Sequence, residues 1–224
     1  MKNPWYFINS GICEGKFNMD FDNNLLIELS KGLLLYPILR IYGWDITTVS
    51  IGSNQRKSEV SSDMYIKYPI VQRITGGQMV LHRPPDDEIT YSVCIKHGFK
   101  SKELYLQIGT VLLEFLKAYK LTGEFGYDDK NYLKHLDCFS SKTSADIVVN
   151  KVKVIGSAQY RKKDYILQHG AIMLDKISRL TGVNITFNSA AYNLKKAFQD
   201  KLKIDFMDYP IEDQNPSNMQ LSKV

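Results

Sequence analysis

Two side chains in this sequence are candidates for acyl chemistry. Lys153 lies in the apolar run Val152-Lys153-Val154-Ile155, one step before Gly156-Ser157-Ala158. A lysine on a strand ordinarily points to solvent. Held in place instead, its ammonium would polarise an acyl carbonyl and stabilise the oxyanion formed on attack. Cys138 lies in His135-Leu136-Asp137-Cys138-Phe139, with Lys134 before it and Lys142 after it. A free thiol with a pKa of about 8.5 is only a few per cent thiolate at pH 7. The cationic neighbours would raise that fraction and Asp137 would lower it, so spacing alone leaves Cys138 as nucleophile or bystander. Cys94 alternates with apolar residues and reads as a small buried hydrophobe. Cys13 falls in an expected loop, with nothing beside it to activate it.

Upstream, Gln72-Arg73-Ile74-Thr75-Gly76-Gly77 ends in paired glycines. They either form a plain turn or let backbone N–H groups approach a ligand closely. His82 and His169 each sit in strand-like alternation, where an imidazole serves structure as often as chemistry. No pair of histidines and no group of cysteines has metal-ligand spacing, and no Walker-type phosphate loop is present. We expect the glycine segment, the Lys153 segment and the Cys138 segment to wall one pocket.

The elements that must position these residues are mostly strands. Residues 5–9 read as a first strand ended by Ser10-Gly11. Asn18-Met19-Asp20 reads as the cap of a helix that Lys31-Gly32 terminates. Strands are expected at 37–42, 47–51, 70–74, 79–82 and 89–94. The loop Arg83-Pro84-Pro85-Asp86-Asp87 separates the last two. Leu104, Ile108, Val111, Leu112, Phe115 and Leu116 share one face of a helix starting near Ser101. Residues 145–149 and 152–155 read as a hairpin turned at Asn150-Lys151, leading to a turn at Gly156-Ser157-Ala158. Further strands follow at 165–167 and 171–174, then a helix over 188–202. Strands outnumber helices and often follow one another directly, so the fold class is α+β, with mixed β-sheets flanked by helices.

With 224 residues, one catalytic domain is expected over 1–209, followed by a flexible C-terminal tail over 210–224 that is polar and rich in Pro, Asn and Ser. The formal charge of +5 permits an acidic partner without calling for nucleic acid. No signal peptide is apparent, and no apolar run approaches the roughly 20 residues a bilayer span needs. Three cysteines without metal spacing fit free thiols in the cytoplasm.

Taken together, these segments resemble the lipoate/biotin protein ligases and octanoyltransferases. Residues 72–82, ending in Thr75-Gly76-Gly77-Gln78-Met79-Val80-Leu81-His82, are similar to the superfamily's Arg-Arg-x-Ser/Thr-Gly-Gly-x-Ala-Val-x-His signature. Lys153 through Gln159 is similar to its lysine motif. Asn18-Met19 with Asp22, and Trp44 through Gly52 and Gln55, match as well. Asp137-Cys138-Phe139 with Ser144 and Asp146, together with Arg161 and Leu167-Gln168-His169-Gly170, resemble the cysteine-dependent octanoyltransferase branch. In one departure, Gln72 stands at the first arginine position, which is compatible with a transferase.

The resemblance implies a biotin/lipoate ligase-like catalytic domain without an accessory C-terminal domain. It implies transfer of octanoyl from acyl carrier protein, through a Cys138 thioester, to a lysine of a lipoyl-accepting protein in lipoate biosynthesis. Acceptors would be glycine cleavage H protein or dehydrogenase E2 domains, and no cofactor or metal is implied. Cys138 and Lys153 would be catalytic. Arg73, Thr75, Gly76, Gly77, His82, Gly156, Ser157, Ala158 and His169 would bind substrate, with Met79 and Leu81 beside the acyl tunnel. The alternatives are an ATP-dependent lipoate-protein ligase and an amidotransferase moving octanoyl or lipoyl groups between lipoyl proteins.

Overall fold

The computed structural model describes residues 3–96, 98, 101–126 and 145–210. The segment carrying Cys138 and the tail beyond residue 210 lie outside the described residues. The strands are β1 (Asn3–Cys13), β2 (Ile38–Trp44), β3 (Thr48–Ile51), β4 (Ile70–Gln72), β5 (Val80–His82), β6 (Glu88–Lys96), β7 (Glu124–Phe125), β8 (Ile147–Val149), β9 (Val152–Lys162), β10 (Tyr165–Met173) and β11 (Ile204–Asp208). The helices are α1 (Gly15–Ser30), α2 (Ser62–Lys67), α3 (Ser101–Lys117), α4 (Leu174–Thr181) and α5 (Phe187–Leu202).

Eight strands form a mixed sheet in the order β11-β1-β2-β6-β10-β9-β8-β7, and β4-β3-β5 form a small second sheet. The larger sheet buries both faces. Ile41, Ile89, Tyr91, Val93, Ile155 and Ile172 meet the apolar stripes of α3 and α5 on one side. On the other side Ile8, Ile38, Cys94 and Leu167 pack against Phe21, Leu25 and Leu29 of α1. The expected face of α3 is correct: Leu104, Ile108, Val111, Leu112, Phe115 and Leu116 are all buried.

Several local expectations give way to tertiary pairing. β1 does not stop at Ser10-Gly11. A register shift between Asn9 and Gly11 absorbs Gly11 at φ 63°, and the strand continues to Cys13, which is buried rather than in a loop. α1 begins one turn earlier than a cap at Asn18 would place it. Asn18 faces the sheet, where its amide donates to the carbonyls of Cys13 and Gly43 at 3.3 and 3.1 Å. Parallel pairing with β1 creates β11, which has little alternation of its own.

Gly156-Ser157-Ala158 is not a turn but the middle of β9, and the expected strands at 165–167 and 171–174 are one strand, β10. Gly170 makes this possible. A Cβ there would lie 2.6 Å from Tyr91 Cε1 and 2.7 Å from the Gly156 carbonyl oxygen, so the tyrosine crosses β10 only over a bare backbone. Gly170→Ala is therefore expected to destabilise the fold by about 1–3 kcal/mol through overpacking. An unchanged urea midpoint for that variant would refute the account.

Candidate active site

The two sheets enclose a cleft with about 570 Å³ of non-atom space, part of it open to solvent. That falls within the roughly 300–1,000 Å³ of small-molecule sites. It is lined by Met19 from α1, Tyr42 and Trp44 from β2, Arg73 and Gly77 from the glycine segment, Lys153 and residues 156–158 from β9, and residues 169–171 from β10. Ser50, Val80, His82, Thr90 and Asp146 complete the wall. The glycine and lysine segments thus meet in one cleft as expected, while Cys138 lies outside the described residues.

Lys153 reaches this cleft through a defect in the sheet. β8 and β9 pair antiparallel, with Ile147 opposite Ile155 but Val148 opposite Lys153, so Val154 is an extra residue on β9. A single inserted residue reverses which side of the sheet the next side chain faces. Val154 and Ile155 both enter the core against α3 and α5, and Lys153 turns toward the cleft. It is 3% exposed, and its Nζ donates to Asp146 Oδ2 at 2.9 Å. The solvent-facing alternative for this lysine is excluded. Asp146, also buried, holds the ammonium in place at the start of β8.

The rest of the wall is fixed by two carboxylate–imidazole–hydroxyl chains. In the first, buried Asp22 accepts from Arg40 Nη1 at 2.9 Å, from Tyr42 Oη at 3.0 Å and from His169 Nδ1 at 3.2 Å. Burial alone would raise the Asp22 pKa. Arg40 and His169 outweigh it and hold the group below its usual value. His169 is pushed the other way from a salt-bridged histidine: burial lowers its pKa more than Asp22 raises it, with Arg73 and His82 adding to the fall. The neutral ring then carries its proton on Nδ1, facing Asp22, and Nε2 accepts from Thr75 Oγ1 at 2.7 Å. Thr75 thus anchors the glycine segment to β10.

In the second chain, His82 Nδ1 meets Glu88 Oε1 at 2.6 Å, and Nε2 meets Ser50 Oγ at 2.8 Å. The His82 ring stacks on Trp44 with centroids 3.8 Å apart. Trp44 Nε1 donates to Thr90 Oγ1, which in turn reaches Glu88 Oε1. His82 thereby spends both nitrogens on the protein and offers the cleft a flat face. Arg73 donates to Ser50 O, Gly76 O and Gln78 O at 2.9, 3.0 and 2.6 Å, holding the glycine loop in shape. Gly77 has φ 93°, and its carbonyl sits where a Cβ on Gly52 would need to be.

Two expected neighbours of the cleft are elsewhere. Met79 and Leu81 pack with Val49, Ile51 and Val60 behind the small sheet, because strand alternation gives the cleft Val80 and His82 instead. Gln72 also turns away, donating to the carbonyls of Gly52, Ser53 and Gln55 at 3.2–3.4 Å. Sequence reasoning missed Glu88 outright; Asp22 entered only through the resemblance, and Ser50 only as part of the matching stretch from Trp44 to Gly52. Asp22 had a signal, a carboxylate on the helix face that carries Met19, Leu25 and Leu26. Glu88 and Thr90 look like the solvent side of an alternating strand, and only the small sheet above them makes that side interior. Among the described residues no group of three His, Cys, Asp or Glu could hold a metal ion.

Residues 14–207 match the family model of the lipoyl protein ligase A/B catalytic domain. The chain is 36% identical over 186 residues to octanoyltransferase LipM of Lysinibacillus sphaericus, covering 76% of this chain and 66% of that protein. It is 32% identical over 257 residues to octanoyltransferase LipM of Anoxybacillus flavithermus, covering 95% and 91%. It is 36% identical over 189 residues to that of Bacillus subtilis, covering 78% and 66%. The chain thus spans just under two thirds of the L. sphaericus and B. subtilis relatives. Among solved structures it is similar in fold to lipoate-protein ligase A bound with ATP, with a TM-score of 0.74 at 20% identity over 98% of this chain and 93% of that one. The bipartite lipoate protein ligase of Thermoplasma acidophilum gives a TM-score of 0.69 at 19% identity, over 97% and 91%.

The depressed His169 pKa has a definite consequence for stability. Between its folded pKa and the unfolded value of about 6.5, the unfolded chain binds the proton that the folded chain refuses. The contribution of neutral His169 is complete above about pH 6.5 and is lost as pH falls through the folded pKa. Urea unfolding of wild type and His169→Gln across this range is expected to show a larger loss of stability on acidification in wild type. Parallel pH profiles would refute a neutral His169.

Proposed function

The chain belongs to the lipoyl protein ligase A/B catalytic domain family, and from that premise we propose that it is an octanoyltransferase of lipoate biosynthesis. The observation that carries this reading is the buried Lys153–Asp146 pair, aimed by the bulge at Val154 into a largely apolar cleft. The octanoyltransferase relatives support the choice of acyl group.

The donor is octanoyl thioester on acyl carrier protein, and Cys138 is the nucleophile. Its thiolate attacks the carbonyl carbon, and the carbonyl π electrons move onto oxygen. The Lys153 ammonium stabilises that oxyanion. Its carboxylate partner Asp146 keeps the head group from swinging out of position, so little reorganisation is needed as charge develops. Collapse expels the phosphopantetheine thiolate, which takes a proton from solvent, and leaves octanoyl on Cys138 as a thioester. The neutral ε-amine of a lysine on a lipoyl-accepting protein, glycine cleavage H protein or an E2 domain, attacks next. Collapse of this second intermediate returns the Cys138 thiolate and yields an amide, with the amine proton released to solvent. An amide is more stable than a thioester, so the sequence runs downhill without ATP.

The cleft contributes shape more than charge. Trp44, His82, Tyr42 and Met19 present apolar surface to the acyl chain, while Gly77, Gly156 and Ala158 leave room for it beside the backbone. Thr75, Gly76 and Arg73 act on the substrate indirectly, through the shape of the loop that ends in Gly77.

Intact-protein mass spectrometry after mixing with octanoyl acyl carrier protein, without ATP, tests this reading. The expected result is a gain of one octanoyl group that hydroxylamine removes and that is absent in Cys138→Ser. Lys153→Met should acylate about 10²–10³-fold more slowly, the usual cost of losing one oxyanion donor. If no adduct forms and an acceptor is modified only when ATP and free acid are supplied, the protein is a ligase. Modification from an octanoylated protein donor alone would make it an amidotransferase.

A further inference from the structure

The strands that form the cleft wall continue beyond it into a cationic tip. β9 carries Gly156, Ser157 and Ala158 in the cleft and ends with Arg161 and Lys162; β10 starts at Tyr165 and carries His169 and Gly170 back to it. Lys163, at φ 55°, and Asp164 make the turn. On the neighbouring strand Lys96 pairs with Tyr165 and holds its ammonium 5.9 Å from the centre of that ring. Lys162, Lys163 and Lys96 are exposed, with the Asp164 carboxylate in the turn beside them. Arg161, also exposed, donates to the Lys163 carbonyl. Nothing in the acyl chemistry uses these three lysines.

We propose that this hairpin tip is the docking surface for the acidic face of the acyl carrier protein that delivers the octanoyl thioester; the choice of partner rests on the transferase reading above. Lys162 is four residues along β9 from Ala158, which at about 3.3 Å per residue puts the tip about 13 Å from the cleft. That separation suits a donor whose thioester travels at the end of a long phosphopantetheine arm, because its protein body must stand off from the reacting carbonyl. It does not suit an acceptor, whose lysine side chain is short and whose domain must sit at the cleft mouth. The position of the charge, on the continuous ribbon that carries Lys153, also fixes the tip relative to the chemistry. Exposed charges of this kind act mainly by steering and orienting a partner, and salt weakens them.

The test uses the triple variant Lys96→Glu/Lys162→Glu/Lys163→Glu and two donors, octanoyl acyl carrier protein and octanoyl-pantetheine, which has the thioester arm without the protein. The rate of Cys138 acylation is read by mass. The expected result is a KM for the carrier-protein donor raised tenfold or more, with kcat/KM for octanoyl-pantetheine within twofold of wild type. Wild-type KM for the carrier protein should rise with salt while that for the small donor does not. An unchanged carrier-protein KM would overturn the proposal. So would an equal loss with both donors, which would make the tip part of the cleft's support, or a rise only in the acceptor's KM. Titrating holo acyl carrier protein into ¹⁵N-labelled wild type separates the two readings. Amide shifts at residues 96 and 161–164 in this titration, with no acylation of Cys138 by octanoyl acyl carrier protein in the mass experiment, would sink the transferase and keep the docking surface. Acylation without those shifts would sink the docking surface alone.

Discussion

The site is assembled around one buried negative charge. Asp22 is 1% exposed, yet it stays ionised because Arg40, Tyr42 and His169 converge on it from two strands of the large sheet. Arg40 is itself fully buried and spends its other donors on the Asn18 backbone and side chain and on Ser10. Removing one member of such a pair strands the other charge, typically at a cost of about 3–5 kcal/mol. The pair therefore adds less net stability than it adds constraint. α1, β2 and β10 have to meet in one arrangement, and through His169 and Thr75 the glycine loop is added to it.

The buried lysine of the cleft, Lys153, is held by a different device with the same logic. A regular β8–β9 hairpin would leave Lys153 on the side of the sheet shared by Ile155, against α3 and α5. The extra residue at Val154 sends it to the other side, where Asp146 meets it. The bulge loses a ladder position and gains a buried ammonium pointing into an apolar cleft. An ammonium that water does not reach from most directions interacts strongly with a developing oxyanion.

The wall of the cleft satisfies its own polar groups almost completely. His82 uses both nitrogens on Glu88 and Ser50, His169 uses both on Asp22 and Thr75, and Arg73 donates to the carbonyls of Ser50, Gly76 and Gln78. Polar groups so occupied keep the cleft hospitable to an alkyl chain, since an unpartnered one would have to be desolvated at a cost of about 1–3 kcal/mol. Arg73, Thr75 and His82 thereby fix the shape of the cleft, with their polar groups engaged by the protein.

The sequence alone determined the fold class, the apolar stripe of α3, the hairpin at Asn150-Lys151 and the meeting of the glycine and lysine segments in one cleft. Each is written in local periodicity or in motifs compact enough to read along the chain. Tertiary structure decided the rest. Thr75 and His169 are 94 residues apart, and Asp22 and His169 are 147 apart, so no window of sequence contains their bonds. The side on which Lys153 emerges depends on register against β8, which alternation cannot reveal once a residue is inserted. Glu88 and Thr90 carry the pattern of a solvent-facing edge, and they are interior because β3-β4-β5 close over them. Gly170 falls between two strands in local reading; it is instead the place where Tyr91 and the Gly156 carbonyl pass too closely for any Cβ, a fact that exists only once the strands are side by side.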